Sequence, residues 1–353
     1  MLSNKSGITD ASSLPTVSLT QEYKNGDVLV SNIRPYFKKI WHAQYDGGCS
    51  NDVLVFVPKS NTDSDFLYYV LADDDFFTYS MVTSKGTKMP RGDKTSIMQY
   101  AVPMVDFCTQ KKIASVLKSL DEKIELNNAI NENLEQQLRS VFMELFSDKI
   151  ANVEANNHRP LGELVINIDN RGKTPPLETT PTEYPIIDVR ALSGTSRIVN
   201  YANCTKFVSA ETYSSWFRSG HPKPKDILVS TVGSLAEIKI FLGSKGCIAQ
   251  NVVGFRTKDI SPYYLYQYLT AIKNDLVAYN IGSVQPSIKV THIIKHPIYI
   301  PSTEELETFD ALAESATNAI YNNTLESERL AGIRDALMPK LMSGEIDLSE
   351  VQF

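Results

Sequence analysis

Apolar residues recur at alternating steps of three and four along two long segments of the chain. An average spacing of 3.5 residues is typical of a coiled-coil seam. We therefore predict two long helices of roughly 38 residues, each spanning roughly 57 Å at 1.5 Å per residue. The apolar seam positions are Ile113, Leu117, Leu120, Ile124, Leu134, Leu138, Val141 and Leu145 in the first segment, and Leu306, Phe309, Ala313, Ala316, Ile320, Leu330, Leu337 and Leu341 in the second.

Polar residues occupy the middle of both seams. Asn127 and Asn131 stand at the centre of the first seam, Asn323 and Ser327 at the centre of the second, and Arg334 interrupts the second seam further on. An antiparallel pair would bring the central residues together. Because asparagine in a seam lowers stability but fixes register, we predict that Asn127, Asn131 and Asn323 set the register of an antiparallel coiled coil. The alternative is that each helix packs on its own β-rich domain.

Short apolar runs between turn-forming residues predict β-strands ahead of each long helix. A helical run follows the strands in both places, so each long helix is preceded by a similar mixed domain. The predicted strands are residues 28–30, 53–57, 227–229 and 252–255, and the predicted short helices are residues 66–71 and 263–269.

The chain repeats itself at an offset near 199 residues. Residues 26–31 (GDVLVS) match residues 225–230 (KDILVS), and residues 51–56 (NDVLVF) match residues 250–255 (QNVVGF). Further matches follow in the same order, at 84–90 with 280–286 and at Asn127-Asn128 with Asn322-Asn323. So long a period indicates a duplicated domain and not a solenoid. Residues 161–200 have no counterpart in the first copy, so we expect that copy to be shortened at its N-terminus.

These patterns predict an α+β fold with an internal pseudo-repeat: two β-rich domains joined by two long antiparallel coiled-coil helices. We expect the first β-rich domain over residues 1–105 and the first helix with its linker over 106–157. The second β-rich domain is expected over 158–301, and the second helix with the C-terminal tail over 302–353.

Composition fits a two-domain globular protein, with 353 residues, 42% apolar and 22% charged. The polar N-terminus, the lack of a long apolar run and four scattered cysteines without a CxxC pair predict a cytoplasmic protein with free thiols.

The net charge of −6 is unevenly spread. Residues 158–301 carry 16 Lys+Arg against 10 Asp+Glu, whereas residues 302–353 carry 3 against 11. The basic segment is suited to phosphate, although ordinary charge scatter explains it equally well.

The motifs that enzymes of nucleic-acid metabolism need are missing. The Pro175-Pro176 pair lacks the acceptor residue and the aromatic of an adenine-methylation tetrapeptide, and no glycine-rich phosphate loop has the required spacing. His292 and His296 lie four residues apart in a strand-like run without the glutamate of a zinc motif, so no metal site is predicted. We expect no catalytic residue and no cofactor on this chain.

The ordered, duplicated motifs resemble those of the DNA specificity subunit of type I restriction–modification systems. The resemblance rests on residues 26–31 and 225–230, on 248–251 (IAQN) and 282–288 (GSVQPSI), and on 297–301 (PIYIP) before the second helix. Asn322-Asn323 and the ending 341–346 (LMSGEI) are also typical. The resemblance covers nearly the whole chain, apart from its first twenty or so residues.

The resemblance implies a non-catalytic subunit whose two target-recognition domains each read half of a split site on double-stranded DNA. It implies two modification subunits as partners, which methylate adenine with S-adenosylmethionine, together with restriction subunits and no membrane. The shortened first domain departs from the family pattern, because it lacks a loop that in the second copy includes Arg171 and Lys173. An alternative is a structural adaptor that binds protein partners, with little or no DNA reading by the first domain.

Reading DNA requires cations for phosphates and forked or hydroxyl side chains for base edges. We selected candidates from loops and repeated motifs, although a solvated surface charge explains any single Lys or Arg as well, and Asn251 and Gln285 also suit a structural role. The DNA-binding candidates of the second domain are Arg171, Lys173, Lys206, Arg218, Lys223, Lys225, Ser230, Thr231, Gln250, Asn251, Ser283, Gln285, Ser287 and Lys289. Those of the first domain are Arg34, Lys38, Lys39, Lys85, Lys88 and Arg91.

Overall fold

The computed structural model describes residues 1–10, 19–153, 157–172, 174–282 and 284–348. The chain divides into two compact units. The first unit consists of Met1–Leu126 and Glu326–Phe353, and the second of Asn127–Leu325. Each unit therefore contains a β-rich domain together with part of both long helices.

The first unit is built around a small antiparallel sheet in the order β3-β2-β5, with β1 paired to β4. Val28, Val30 and Ile40 on the sheet pack against Phe76 and Phe77 of the helical layer, which forms the core of the domain. The elements are β1 (Gln21–Tyr23), β2 (Val28–Ser31), β3 (Ile40–His42), β4 (Gly47–Cys49), β5 (Val53–Phe56), α1 (Ser64–Ala72), α2 (Asp74–Val82), α3 (Lys94–Ile97) and the long helix α4 (Phe107–Ala151).

The second unit has a larger antiparallel sheet in the order β10-β9-β12-β7. Two further strand pairs, β11 with β8 and β13 with β6, flank it. The elements are β6 (His158–Pro160), α5 (Leu161–Leu164), β7 (Val165–Ile168), β8 (Ile186–Ile187), α6 (Ala210–Ser215), β9 (Ile227–Ser230), β10 (Ile238–Ile240), β11 (Cys247–Ile248), β12 (Val252–Thr257), α7 (Pro262–Ala271), α8 (Lys273–Ala278), α9 (Val290–Ile293), β13 (Pro297–Tyr299) and the long helix α10 (Thr303–Ser343).

The two long helices pack antiparallel in both units, which confirms the predicted pairing. In the second unit the rings of Phe142 and Phe146 on α4 lie 5.4 and 6.0 Å from that of Phe309, near the start of α10. In the first unit Leu117 of α4 shares a core with Met338 and Leu341 near the end of α10. The helices also pack on the β-rich domain of each unit, so the alternative arrangement is realised alongside the predicted one.

The asparagines at the middle of the seams meet as expected. Asn323 Nδ2 donates to Asn131 Oδ1 at 2.9 Å, and Asn127 Nδ2 donates to the main-chain oxygen of Asn323 at 3.4 Å. Asn127 is fully buried. A buried amide satisfies its hydrogen bonds best at one alignment of the two helices, which supports the predicted register role.

Matching hydrogen bonds demonstrate the internal repeat. Before β2, the main-chain N–H of Lys24 donates to Asp27 Oδ2 at 2.8 Å, and before β9 that of Lys223 donates to Asp226 Oδ2 at 2.7 Å. The stretch that is special to the second copy supplies α5, β7 and β8. Strand β7 adds a fourth strand to the sheet by pairing with β12.

Candidate DNA interface

One end of the large sheet in the second unit gathers loops from four parts of the chain. The antiparallel register places the carboxyl ends of β7 and β9 beside the amino end of β12, because Ile168 faces Gly254 and Ser230 faces Val252. A bridge between Val232 and Ser287 adds the segment before α9. We call this the loop edge of the second unit, and it consists of residues 169–171, 231–237, 249–251 and the described part of 281–289.

Arg171 belongs to the loop after β7 at this edge. Its guanidinium forms a bidentate pair with Asp169, at 2.5 Å between Nη2 and Oδ2, and Arg218 Nη2 donates to the main-chain oxygen of Arg171 at 2.8 Å. Burial acts to raise the pKa of Asp169, but the hydrogen bonds and charge of Arg171 outweigh it, so the pKa lies below its ordinary value. Arg218 is exposed. The pair ties Arg171 to its own loop, and Arg218 is a second exposed cation beside it.

The hydroxyls of Ser230 and Thr231 serve the interior of the domain. Both residues are fully buried. Ser230 Oγ donates to the main-chain oxygen of Ser234 at 2.5 Å, and Thr231 Oγ1 donates to the main-chain oxygen of Asn251 at 3.4 Å. These bonds hold the turns of the loop edge in place.

Two amide side chains lie at the same edge. Gln250 Nε2 donates to the hydroxyl of Thr174 at 3.0 Å, which ties the turn before β12 to the loop after β7. The side-chain oxygen of Asn251 is buried and has no hydrogen-bond partner among the described residues. A buried amide oxygen without a partner is unusual in a folded protein.

The described part of the segment before α9 presents exposed side chains. The side chain of Asn280 accepts hydrogen bonds from the N–H groups of Gly282 and Ser287, at 3.0 and 2.9 Å. Gln285 and Lys289 are exposed. Lys173 and Ser283, two further predicted DNA contacts, lie outside the described residues.

The remaining candidates of the second unit lie away from the loop edge. Lys223 and Lys225 precede β9, at the opposite end of that strand, and Lys225 Nζ pairs with Glu314 of α10 at 2.9 Å. Lys206 is exposed beside β8, where its main-chain oxygen accepts from the Ile186 N–H. These three lysines stay predictions as DNA contacts, and the structure does not group them with Arg218, Gln285 and Lys289.

The corresponding edge of the first unit is rich in ion pairs. Lys38 pairs with Asp74 at 2.8 Å, Lys85 pairs with Asp93, and Arg91 pairs with Asp52 at 3.1 Å. Their cations are therefore partly neutralised by acids of the same domain. The other candidates there are placed separately: Arg34 has left-handed backbone (φ 51°) and a buried Nε without a partner among the described residues, Lys39 lies near the ring of Phe37, and Lys88 is exposed.

Sequence reasoning missed two arginines that organise the second unit. Arg256 forms a bidentate pair with the buried carboxylate of Asp226, at 2.7 and 3.0 Å. Arg197 is buried against both long helices and bonds Glu135 and Thr317. The repeat offered a signal for Arg256. The first copy has Val57 at the matching position, so the arginine is a departure from the repeat.

The described residues hold no cluster of histidine, cysteine and acidic side chains that could bind a metal ion. Buried Cys247 is far from reactive, because burial raises the pKa of its thiol to about 12. His292 lies in helix α9, so the predicted strand-like run is wrong at that point, and Nδ1 of His296 bonds the hydroxyl of Tyr279 at 2.9 Å. None of the helices that the structure describes has the length and hydrophobicity to cross a bilayer.

The chain is similar to known proteins over most of its length. It is 24% identical over 314 residues to the type I restriction enzyme MjaIX specificity subunit of Methanocaldococcus jannaschii, covering 84% of this chain and 72% of that protein. It is 24% identical over 406 aligned residues to the HindI specificity subunit of Haemophilus influenzae, covering 92% of this chain and 87% of that protein.

A solved structure shares the fold. The type I restriction–modification S subunit from M. genitalium superimposes with a TM-score of 0.54 at 16% identity, covering 92% of this chain and 84% of the other. The family model described as the type I restriction modification DNA specificity domain matches residues 16–136 and 155–327. These two segments fall on the two copies of the repeat and cover well over half of the sequence, so the chain belongs to the family of type I restriction–modification DNA specificity domains.

Proposed function

We propose that this chain is the non-catalytic subunit that recognises a bipartite DNA site for a type I restriction–modification complex. Membership of the DNA specificity family supports the role, and the internal repeat supports a site read in two parts. In this proposal two modification subunits and restriction subunits assemble with the chain. Adenine methylation, with S-adenosylmethionine bound by the modification subunits, is then directed by the sequence that this chain reads.

The loop edge of the second unit is the surface that we assign to DNA. Gln285 and Lys289 are exposed there, and exposed Arg218 adjoins this edge through its hydrogen bond to the main-chain oxygen of Arg171. The Asn280 side chain holds the turn before α9 by accepting from the Ser287 N–H. Guanidinium and amide groups can read base edges in the major groove, and ammonium groups contact phosphates. Because the turns are fixed before binding, little conformational entropy is lost when they meet a duplex.

The salt dependence of binding tests the assignment. Affinity for a duplex that carries the site is expected to fall by about 10³-fold between ~50 and ~200 mM salt if six phosphates are contacted. Lys289→Glu should weaken binding, whereas Lys258→Glu is a matched control because Lys258 is exposed just after the opposite end of β12. Equal affinities for the two variants would contradict the assignment of the loop edge.

Mapping of N6-methyladenine in a host genome tests the wider role. With the modification subunit present, a split motif should be methylated only when this chain is expressed. Methylation of only one half of the motif, or of a palindromic motif, would mean that the first domain does not read DNA or that two copies of the chain pair. An unchanged methylation pattern would contradict the proposed function.

One observation favours a second candidate for the first domain. Lys38, Lys85 and Arg91 pair with acids of their own domain, which lowers the net positive charge available to phosphates. The first domain could then act as an adaptor that contacts protein. In that case Lys88→Glu would leave the affinity for DNA unchanged while Lys289→Glu lowers it.

A further inference from the structure

In the second unit, one buried arginine joins the domain to both long helices. Arg197 is 1% exposed. Its Nε and Nη2 donate to the two carboxylate oxygens of Glu135 on α4, at 2.9 and 2.8 Å, and its Nη1 donates to the hydroxyl of Thr317 on α10 at 2.8 Å. The ring of Tyr266 lies 5.0 Å from the guanidinium. Arg197 is therefore satisfied only when α4 and α10 lie side by side.

In the first unit, an arginine of the long helix α10 itself joins the two long helices. Arg334 of α10 contacts Asp121 of α4, at 2.5 Å between Nη1 and Oδ1. The hydroxyl of Tyr69, on the domain helix α1, donates to the second oxygen of Asp121 at 2.8 Å. Here the helix supplies the arginine, and the domain supplies only a hydroxyl.

The two contacts stand at related positions of the two helices. The seams of α4 and α10 align at an offset of 196 residues, one more than the match between the two Asn-Asn pairs, and this alignment pairs Leu117 with Ala313 and Asn127 with Asn323. The same offset places Asp121 at the position of Thr317. It also places Leu138 at the position of Arg334, so the charge that breaks the second seam replaces a core leucine of the first.

We propose that these two ion pairs select the pairing of α4 with α10 within one chain and reject the pairing of like helices from two copies. Two helices with such similar seams could each pair with a copy of themselves. A coiled coil prevents wrong partners by placing unpaired or like charges against them.

A pair of α4 helices would bring two acids together and remove Arg334, one of the two arginines that pair with them. Asp121 of one copy would face Leu138 of the other in place of Arg334. It would also approach Glu135 of the other copy, because Glu135 and Thr317 bind the same guanidinium in the observed pair and Thr317 is equivalent to Asp121. By symmetry this happens at both ends, so at each site two carboxylates have at most the one guanidinium of Arg197, and neither has Arg334.

A pair of α10 helices would fail through excess positive charge. In such a pair Arg197 keeps its bond to Thr317 of one α10. The second α10 would place Ala331 where α4 has Glu135. It would also place Arg334 where α4 has Leu138. Two guanidinium groups would then share a partly buried site without a carboxylate. Burying a charge without its partner is strongly unfavourable.

The central asparagines do not supply this selection. Both helices carry a polar residue at the same two seam positions, Asn127 and Asn131 on α4 and Asn323 and Ser327 on α10. An amide centre can therefore form in like pairs as well as in the observed pair. The asparagines align the helices, and the ion pairs choose which helices are aligned.

Charge reversal in the full chain tests the proposal. Two copies with different affinity tags are co-expressed, and each is purified through one tag and probed for the other. The wild-type chain should not copurify with its second copy. Glu135→Arg should increase copurification about tenfold or more and double the mass measured by light scattering, because it repels Arg197 within the chain and pairs with Asp121 of the second copy.

Three further variants make the test decisive. Glu135→Arg with Arg197→Glu restores the internal pair and should return the protein to a single copy, and Glu132→Arg, at an exposed position of the same helix, should have no effect. If Glu135→Arg does not fold, Glu135→Gln with Arg334→Gln removes both pairs without adding charge and should also copurify. Absence of copurification in the folded single or neutral variants, or failure of the double reversal to restore a single copy, would overturn the proposal.

Discussion

Lys225 Nζ lies 2.9 Å from Glu314 Oε1, and the same ammonium group lies over the ring of Tyr263 at 5.1 Å. The lysine begins the second copy of the repeated motif, and Glu314 belongs to the long helix α10. The contact fastens the turn before β9 to the helix. A basic residue selected as a DNA contact is thus engaged in holding the domain on its helix.

Replacing Lys225 should affect stability more than DNA binding. Lys225→Ala is expected to lower the free energy of unfolding by about 0.2–1 kcal/mol, because both partners are half-exposed and such pairs contribute little. Its affinity for DNA should match that of the wild-type chain. Urea denaturation and a binding titration measure the two effects. A large loss of affinity for DNA at unchanged stability would show that Lys225 contacts DNA.

Arg218 should show the opposite behaviour. Arg218→Ala is expected to reduce the slope of log affinity against log salt by about 0.9, the contribution of one phosphate contact, and to change the unfolding free energy by less than ~0.5 kcal/mol. Titrations at several salt concentrations give the slope. Lys258→Ala serves as the control at the far end of the sheet, and its slope should stay that of the wild-type chain.

The repeated aspartates before β2 and β9 should differ in their contribution to stability. Asp226 is 2% exposed and holds Arg256 in a bidentate pair, so Asp226→Ala should cost about 3–5 kcal/mol by leaving a guanidinium without its partner. Asp27→Ala removes the same turn hydrogen bond, but Val57 replaces the arginine, so a cost of about 1 kcal/mol is expected. Equal losses in urea denaturation would contradict this account.

Asp65 should make the stability of the first unit sensitive to acid. Its hydrogen bonds to His42 at 3.1 Å and to Lys118 at 2.9 Å lower its pKa to about 2. Since the pKa is lower in the folded state, the unfolded chain binds more protons as the pH falls. The stabilisation is therefore present above about pH 4 and is lost as the pH drops toward about 2.

Asp65→Asn should remove about 1 kcal/mol of this pH dependence, a value reduced for solvent screening of a partly exposed pair. Urea midpoints measured from pH 6 to the acid limit of the folded state report it. Asp10→Asn, at an exposed position, should leave the acid limb of the curve unchanged. An identical acid limb in Asp65→Asn would show that the pair does not contribute.

Leucine at the polar centre of the seam should raise stability at the expense of a single register. Asn323→Leu removes the hydrogen bond to Asn131 and adds apolar surface, so the melting temperature should rise while additional oligomers form. Asn322→Leu, at the exposed neighbouring position, should give neither effect. Thermal denaturation and light scattering measure both effects. If the Asn323→Leu protein stays a single copy with an unchanged melting temperature, Asn323 does not set the register.

The sequence by itself determined the repeated architecture of this protein. Apolar spacing identified both long helices and their antiparallel pairing, because a seam with polar residues at its centre constrains its partner. The helices are longer than expected, at 45 and 41 residues, since charged residues at their ends continue the helix without adding seam positions. The motif order also identified the DNA specificity family, because a duplicated series of short matches is improbable by chance.

Tertiary structure decided which polar residues face solvent and which hold the fold. Ser230 and Thr231 are buried, Lys225 binds α10, and Arg197 lies between two helices that are more than a hundred residues apart in sequence. The pairing of a charge depends on the position of its partner in space, and burial depends on neighbours from distant segments. Local pattern therefore placed the helices and the strands, while long-range packing assigned the roles of their charges.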